Sequence, residues 1–422
     1  MTLFRKLCYP KQLKKYSTFR NVIGIETSCD DTAVGLVSSE RKIIAESKYN
    51  QFVIHKKQGS SKQKGKYTSW PGGVIPDLAK RLHHDNLIYA VSDCIEKNGN
   101  TWENIDALAL TIKPGLEPCL WEGIKFSILL LKKYKIPFIP IHHMEAHALT
   151  SRLFDQNIKY PFLTLLVSGG HCLIALVESF DKFYKLGESI DISPGNCIDK
   201  ISRQLGLYET SKYDCSSGGA LMEKYAINGD DSSYPTMTNM IKNYCHKNKD
   251  CNFSYTGLLA FTHRLIDKSI ETDYQNIEID GCEKRFLSDQ TLSNICASVQ
   301  KAISIQLNDR LKRSIIYLKY KNVKIENLVV SGGVASNLYI RNSISKLANE
   351  LGLVVSCPPV SYCTDNGVMI AWNGCEKLMY NSKDIIYPNE QTENFFKSIK
   401  PQGKAEFGVD LTNKIKQLNI KN

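Results

Sequence analysis

The chain has no Cys-x-x-Cys pair, although it carries 14 cysteines in 422 residues. Without such pairs a zinc ribbon or an iron–sulfur cluster has no framework, and the scattered thiols read as small buried residues of a reducing compartment. It also lacks any apolar run near the ~20 residues that cross a bilayer. The longest candidates are short segments such as Phe162 to Val167 and Ile128 to Leu131, so a soluble protein with no membrane partner is expected. Residues 1–20 lack Asp and Glu and have no continuous apolar core, which excludes a secretory signal. They carry Arg5, Lys6, Lys11, Lys14, Lys15 and Arg20, the composition of a mitochondrial presequence or, alternatively, of a basic tail that touches RNA. What remains, with 42% hydrophobic and 23% charged content overall, is enough to fill two ordinary domains.

Two stretches repeat the same order of elements. Asn21 to Glu26 is a short β-branched run, followed by the polar turn Thr27-Ser28-Cys29-Asp30-Asp31-Thr32 and a second apolar run, Ala33 to Val37. Arg41 to Glu46 suggests a third strand, and Pro76 to Glu96 has apolar residues at helical spacing. Strand Asp106 to Ile112, helix Leu120 to Lys133 and strand Pro137 to Ile141 follow. The second stretch opens with Phe162 to Val167, the turn Ser168-Gly169-Gly170-His171 and a return strand Cys172 to Val177. It continues with a strand around Phe183 to Gly187, a long helix Leu292 to Leu318, strand Asn327 to Val330, helix Asn337 to Leu351, strand Val354 to Ser356 and a last helix from Asp365. Segments 228–250 and 268–290 read as polar and irregular. Duplicated βββαβα lobes around a central cleft are the architecture of the actin, sugar-kinase and Hsp70 ATPase fold, an α/β class, and backbone amides at such hairpin tips can hold phosphates.

His143 and His147 lie four apart at a helix start, so both imidazoles share one face, as two ligands of one divalent metal would; two hydrogen-bonded structural histidines have the same spacing. A zinc peptidase needs His-Glu-x-x-His, and Met144 occupies the position of its general base. His142 is five from His147 and falls off the shared face. Asp365, in Cys363-Thr-Asp-Asn-Gly, is a candidate third ligand, or simply an N-terminal cap of the last helix. Two glycine pairs, Gly169-Gly170 and Gly332-Gly333, directly follow apolar strands, where backbone amides could meet a nucleotide. Asp199 could accept a ribose hydroxyl, or be an acidic residue at a helix start. The Lys- and Ser-rich segment His55 to Ser69 reads as a solvated insertion, with a tRNA contact as the alternative.

Five ordered motifs, Glu26-Thr-Ser-Cys-Asp-Asp-Thr32, His143-Met-Glu-Ala-His147, Val167-Ser-Gly-Gly-His171, Ser331-Gly-Gly-Val-Ala-Ser-Asn337 and Cys363-Thr-Asp-Asn-Gly-Val-Met-Ile-Ala371, together resemble the universal tRNA threonylcarbamoyltransferase family. The basic leader, Gly72-Gly73-Val74-Ile75-Pro76-Asp77 and Ser193-Pro194-Gly195-Asn196 resemble its mitochondrial branch in fungi and animals. The resemblance implies transfer of a threonylcarbamoyl group from threonylcarbamoyladenylate to N6 of adenosine 37, in mitochondrial-matrix tRNAs that read codons beginning with A, with AMP released. It implies a divalent metal, zinc or iron, on His143, His147 and Asp365. It places the adenylate on Leu166, Val167, Ser168, Gly169, Gly170, Asp199, Gly219, Glu223, Ser336 and Asn337, and turns Asp30 and Asp31 toward the reacting group, with Asp31 the candidate base. It further implies a homodimer supplied by a separate adenylate synthase. The expected layout is a presequence at 1–20, an N-terminal lobe at 21–158, a C-terminal lobe at 159–362, and a segment 363–422 whose helix returns to the first lobe before the tail. The chain departs from the family pattern at Phe253-Ser-Tyr-Thr-Gly-Leu-Leu259, which lacks the usual lysine, at Lys113-Pro114-Gly115, and at Gly195-Asn-Cys-Ile-Asp-Lys200.

Overall fold

A computed structural model describes residues 20–51, 54–55, 74–99, 101–210, 213, 217–279 and 282–418. The basic leader apart from Arg20, Gly72-Gly73 and most of the Lys-rich insertion lie outside these residues. The chain divides into two compact units, residues 1–154 with 365–405, and residues 155–364 with 406–422.

The first unit is built on a sheet of β1 (Asn21–Glu26), β2 (Asp31–Ser38), β3 (Ile43–Asn50), β4 (Ala107–Lys113) and β5 (Phe138–His142), in the order β3-β2-β1-β4-β5. β1 runs antiparallel to β2 and parallel to β4, and β4 runs parallel to β5. Helices α1 (Pro76–Lys97) and α2 (Glu117–Tyr134) supply the crossovers, each with proline in its first turn, where no intrahelical N–H is lost. Because β1 and β2 are buried along nearly their whole length, both faces of the sheet must be covered. One face carries Ile23, Ile25, Val34, Leu36, Leu108 and Leu110 against Leu87, Val91 and Ile124 of the two helices. After β5 the chain turns straight into α3 (His143–Leu149).

The second unit repeats the plan. Its sheet holds β6 (Phe162–Val167), β7 (Cys172–Ser179), β8 (Lys182–Glu188), β11 (Asn327–Ser331) and β12 (Val354–Ser356), in the order β12-β11-β6-β7-β8. Its first strand again pairs antiparallel with the second and parallel with the fourth. Between β8 and β11 lie α4 (Pro194–Gln204), α5 (Gly218–Ala226), α6 (Pro235–Lys247), α7 (Thr256–Ser269), a hairpin of β9 (Tyr274–Ile279) and β10 (Cys282–Leu287), and the 32-residue α8 (Asp289–Tyr320). α9 (Leu338–Glu350) joins β11 to β12. The shared strand order is that of the actin-like ATPase fold, an α/β class with a duplicated lobe.

Two expectations need correction. The segments read as irregular contain α6 and the β9–β10 hairpin; their polar surfaces hid buried anchors such as Met237, Ile241 and Leu287. The third strand is Ile43–Asn50 rather than 41–46, because Asp31 to Leu36 of β2 pair all the way along to Asn50.

From Asp365 the chain belongs to the first unit again. There α10 (Gly367–Met379) covers the second face of that unit's sheet, and nearly every residue of it is buried. The contact is backbone on backbone: a Cβ added at Gly24 would lie 2.2 Å from the Ala371 amide nitrogen, and one at Gly35 2.5 Å from that of Val368. Only glycine permits this approach. Glu376 and Arg152, both buried, pair at 2.7 Å beneath it. Residues from 406 onward join the second unit, where β13 (Val409–Asp410) pairs with β8 and α11 (Thr412–Leu418) follows. No helix among the described residues is long and apolar enough to cross a membrane.

Candidate metal and substrate site

In the first unit, the turn from β5 into α3 sets the two histidines. His142 is the N-cap, and its Nδ1 accepts the Met144 amide at 3.2 Å, so it is turned away from the shared face as its spacing suggested. His143 and His147 then project from one side of α3. Their Nε2 atoms lie 3.5 and 3.0 Å from the same oxygen, Oδ1 of Asp365.

Asp365 is not the cap of α10. That role belongs to Asn366, whose side chain accepts the Met369 amide at 2.8 Å, and the capping alternative raised by the sequence is overturned. The Asp365 carboxylate is left to face the two imidazoles. One ligand atom from each of the three residues lies within 4.8 Å of the others. At metal–ligand bonds near 2.1 Å, adjacent ligand atoms stand about 3–3.5 Å apart; the donor set therefore fits one divalent ion.

Behind His143, Nδ1 lies 3.1 Å from Oε2 of Glu26, the last residue of β1. Glu26 is fully buried; its Oε2 also accepts the Thr111 hydroxyl at 2.6 Å, and its Oε1 the Ser28 amide at 2.5 Å. Burial opposes a charge on His143, but the Asp365 and Glu26 carboxylates outweigh it and raise its value to about 9. Burial likewise opposes ionisation of Asp365, yet His143, His147 and Lys48 hold it below the ordinary carboxylate range. Glu26 is also lowered, burial being outweighed by the charge of His143 and its hydrogen bond. On the apposed hairpin, Asp31 pairs with Lys48 at 2.8 Å and accepts the Asn50 amide at 2.8 Å, while Lys48 also reaches the Asp365 carbonyl at 2.7 Å. Burial still dominates at Asp31 and, despite Lys48, raises it to about 6. Asp30 is half-buried beside it.

In the second unit the hairpin tip after β6 leaves Gly169 and Gly170 exposed. The start of α4 closes on it: the Ser193 hydroxyl donates to the Gly169 carbonyl, and a Cβ at Gly195 would lie 2.6 Å from the Ser168 carbonyl. Gly332 adopts φ +103° with its α-carbon against Val167, where a Cβ would meet the Val167 carbonyl at 2.3 Å. Glu223 accepts the Leu338 amide at 2.6 Å, which brings α5 to the start of α9. Asn337 caps α9 with its carbonyl oxygen and donates to Gln300 at 2.5 Å. Asp199 lies within α4 rather than at its start, and accepts the Tyr208 hydroxyl at 2.8 Å. Gly219 follows Gly218, whose neighbours are Asp199 and Ser202. Half-buried Ser336 ends the turn before Asn337.

Sequence reasoning did not single out Glu26 as a partner of His143, nor Lys48 and Gln300. The only available signal for Glu26 was a carboxylate ending a strand otherwise free of charge. Lys48 and Gln300 carried none.

Fold and site together define a protein of the actin-like ATPase fold with a two-histidine, one-carboxylate cluster in its first unit. The sequence model of the family described as TsaD, tRNA N6-adenosine threonylcarbamoyltransferase, matches residues 57–372. The mitochondrial tRNA N6-adenosine threonylcarbamoyltransferase of Rattus norvegicus is 38% identical over 413 residues, 95% of this chain and 89% of the relative. That of Homo sapiens is 38% identical over 404 residues, with the same shares. The tRNA N6-adenosine threonylcarbamoyltransferase of Wolbachia sp. subsp. Brugia malayi is 36% identical over 367 residues, 87% of this chain and 95% of the relative. The chain belongs to the tRNA N6-adenosine threonylcarbamoyltransferase family.

Proposed function

We propose that this chain transfers the threonylcarbamoyl group of threonylcarbamoyladenylate to N6 of adenosine 37 in mitochondrial tRNAs that read codons beginning with A. The observation that carries this reading is the convergence of His143, His147 and Asp365, in a chain of this family. In the reaction a bond forms between N6 and the carbamoyl carbon, the bond from that carbon to the phosphate oxygen breaks, AMP departs, and N6 loses a proton. The adenine amine is a weak nucleophile because its lone pair is delocalised into the ring, so the electrophile must be activated. A divalent ion on His143, His147 and Asp365, zinc or iron, supplies Lewis acidity toward the carbamoyl oxygen.

The chain's own residues orient the reactants. Exposed amides at Gly169 and Gly170 hold the adenylate phosphate, flanked by Leu166, Val167 and Ser168. Asp199, Gly219, Glu223, Ser336 and Asn337 hold the nucleoside; the contacts that group them in the second unit support this reading. Asp31, ionised above about pH 6, takes the N6 proton, with Asp30 beside it. The enzyme acts in the mitochondrial matrix after its leader directs it there, as a homodimer supplied with adenylate by a separate synthase. The animal relatives are mitochondrial enzymes, which supports the compartment.

The test is transfer to unmodified tRNA by purified residues 21–422 with the adenylate supplied, read as the modified nucleoside by mass spectrometry. Product requiring both the adenylate and an anticodon for such codons supports the proposal; none from folded, metal-loaded protein contradicts it.

A further inference from the structure

The two histidines of the cluster are not held alike. His147 makes one polar contact at its ring, to Asp365, and its buried Nδ1 has no hydrogen-bond partner among the described residues. His143 is gripped from behind by Glu26, and Glu26 is itself fixed from two sides. Its Oε1 takes the Ser28 amide, in the turn after β1, and its Oε2 the Thr111 hydroxyl, on β4. A fully buried carboxylate with this much support occupies a single orientation. An ionised carboxylate only accepts hydrogen bonds, so Nδ1 of His143, which also has the Ser28 hydroxyl at 3.1 Å, carries a proton toward Glu26. Nε2 is then the ring atom directed at the side where Asp365 and His147 converge, and it gives up its proton when a metal takes its place.

We infer that Glu26 is a positioning residue that fixes the tautomer and ring orientation of His143, making it the preset ligand of the cluster, with His147 the ligand that adjusts. The inference rests on the metal reading of His143, His147 and Asp365. Carboxylate–histidine pairs behind a metal hold the ring in place, and their loss lowers metal affinity about 10–100-fold. Glu26 occupies the last position of β1, so the first strand of the fold is tied directly to the ligand at the start of α3.

Glu26→Gln and Glu26→Asp separate orientation from charge. The glutamine side chain has one acceptor oxygen where the native site uses two, so an NH2 must face either the Ser28 amide or the His143 and Thr111 side. Aspartate keeps the charge but is shorter by one methylene and cannot span from β1 to His143. Thr111→Val is the milder variant, removing one of the two supports of Glu26 and leaving the carboxylate in place.

The experiment is Zn2+ affinity of the full chain and the three variants by chelator competition, with 15N shifts of the His143 ring and melting of the metal-free proteins. Expected are one tight Zn2+ site in the wild type, Nδ1 protonated and Nε2 metal-bound, about 10–100-fold weaker binding in both Glu26 variants, and a loss of a few fold in Thr111→Val. Equal affinity in folded Glu26 variants, or a Zn2+-loaded wild-type His143 protonated on Nε2, overturns the inference. Should the Glu26 variants not fold, the wild-type tautomer and Thr111→Val decide it. A wild type that binds no Zn2+ and no Fe2+ defeats the metal reading itself, a different outcome from unchanged affinity in the variants.

Discussion

Gly35→Ala is the most demanding perturbation of how the fold sets the site. Its Cβ would lie 2.5 Å from the Val368 nitrogen, 2.6 Å from the Gly367 carbonyl carbon and 2.7 Å from the Val368 α-carbon. All three are backbone atoms that no rotamer change can move aside. Ordinary contact needs about 3.5 Å, so α10 must rise from β2 by roughly 1 Å. Asp365 stands two residues before α10, and metal–ligand distances tolerate only about ±0.2 Å, so a shift of this size takes the carboxylate out of ligand range. Overpacking of this kind costs about 1–3 kcal/mol, and the strand preference of alanine over glycine, about 0.5–1 kcal/mol, recovers only part of it. The net cost, up to about 2.5 kcal/mol, should lower the melting temperature by up to about 10 °C, with metal affinity reduced at least about tenfold. Gly257→Ala is the control: it lies in α7, has open space around the added methyl, and should be stabilising by up to about 1 kcal/mol. Differential scanning fluorimetry of the metal-free proteins and chelator competition measure both effects. Unchanged melting and metal affinity in Gly35→Ala would refute the argument that this glycine contact positions Asp365.

The raised value of Asp31 fixes a pH dependence of definite sign. Because its folded value, about 6, exceeds the unfolded carboxylate value near 3.9, its contribution to stability is present below pH ~3.9 and lost as pH rises through 6. Asp31→Asn should therefore be more stable than wild type at pH 7 by about 1–3 kcal/mol in urea melts; with Asp31 proposed as the base, wild-type transfer should rise through pH 6 and the variant should lose that limb. In the second unit, Gly332→Ala must place a side chain at φ +103° and against the Val167 carbonyl. That strain, about 1–3 kcal/mol before the clash is counted, should lower the melting temperature and weaken adenylate binding in calorimetry; an unaltered protein would show that the turn relaxes freely.

Periodicity and turn chemistry made the sheet strands legible. Val354–Ser356, Asn327–Ser331 and Phe162–Val167 are short apolar runs bounded by polar turns, and such runs define strands locally. The α6 segment failed for the same reason in reverse. Its Thr, Asn and Lys residues cover the exposed side, and only Met237, Thr238, Ile241 and Cys245 reach inward, too thin a stripe to stand out. At the site, the spacing of His143 and His147 was legible because four residues return a helix to the same face. Asp365 was ambiguous because a cap and a ligand favour the same residue type, and only the side chain of Asn366 separates the two roles. Glu26 and Thr111 are 85 residues apart, and Glu26 and His143 117. No local pattern marks contacts made by the pairing of β1 with β4 and of β4 with β5.

The decisive comparison is single-turnover transfer to unmodified tRNA by wild type and by His147→Ala, each assayed with its bound metal measured. His147 is the choice because its side chain reaches only Asp365 among the polar contacts of the cluster, so its removal least disturbs the fold. Loss of metal together with loss of product, in a variant that melts within a few degrees of wild type, is the predicted result. Full transfer by a metal-free His147→Ala protein would contradict the claim that this cluster carries the reaction.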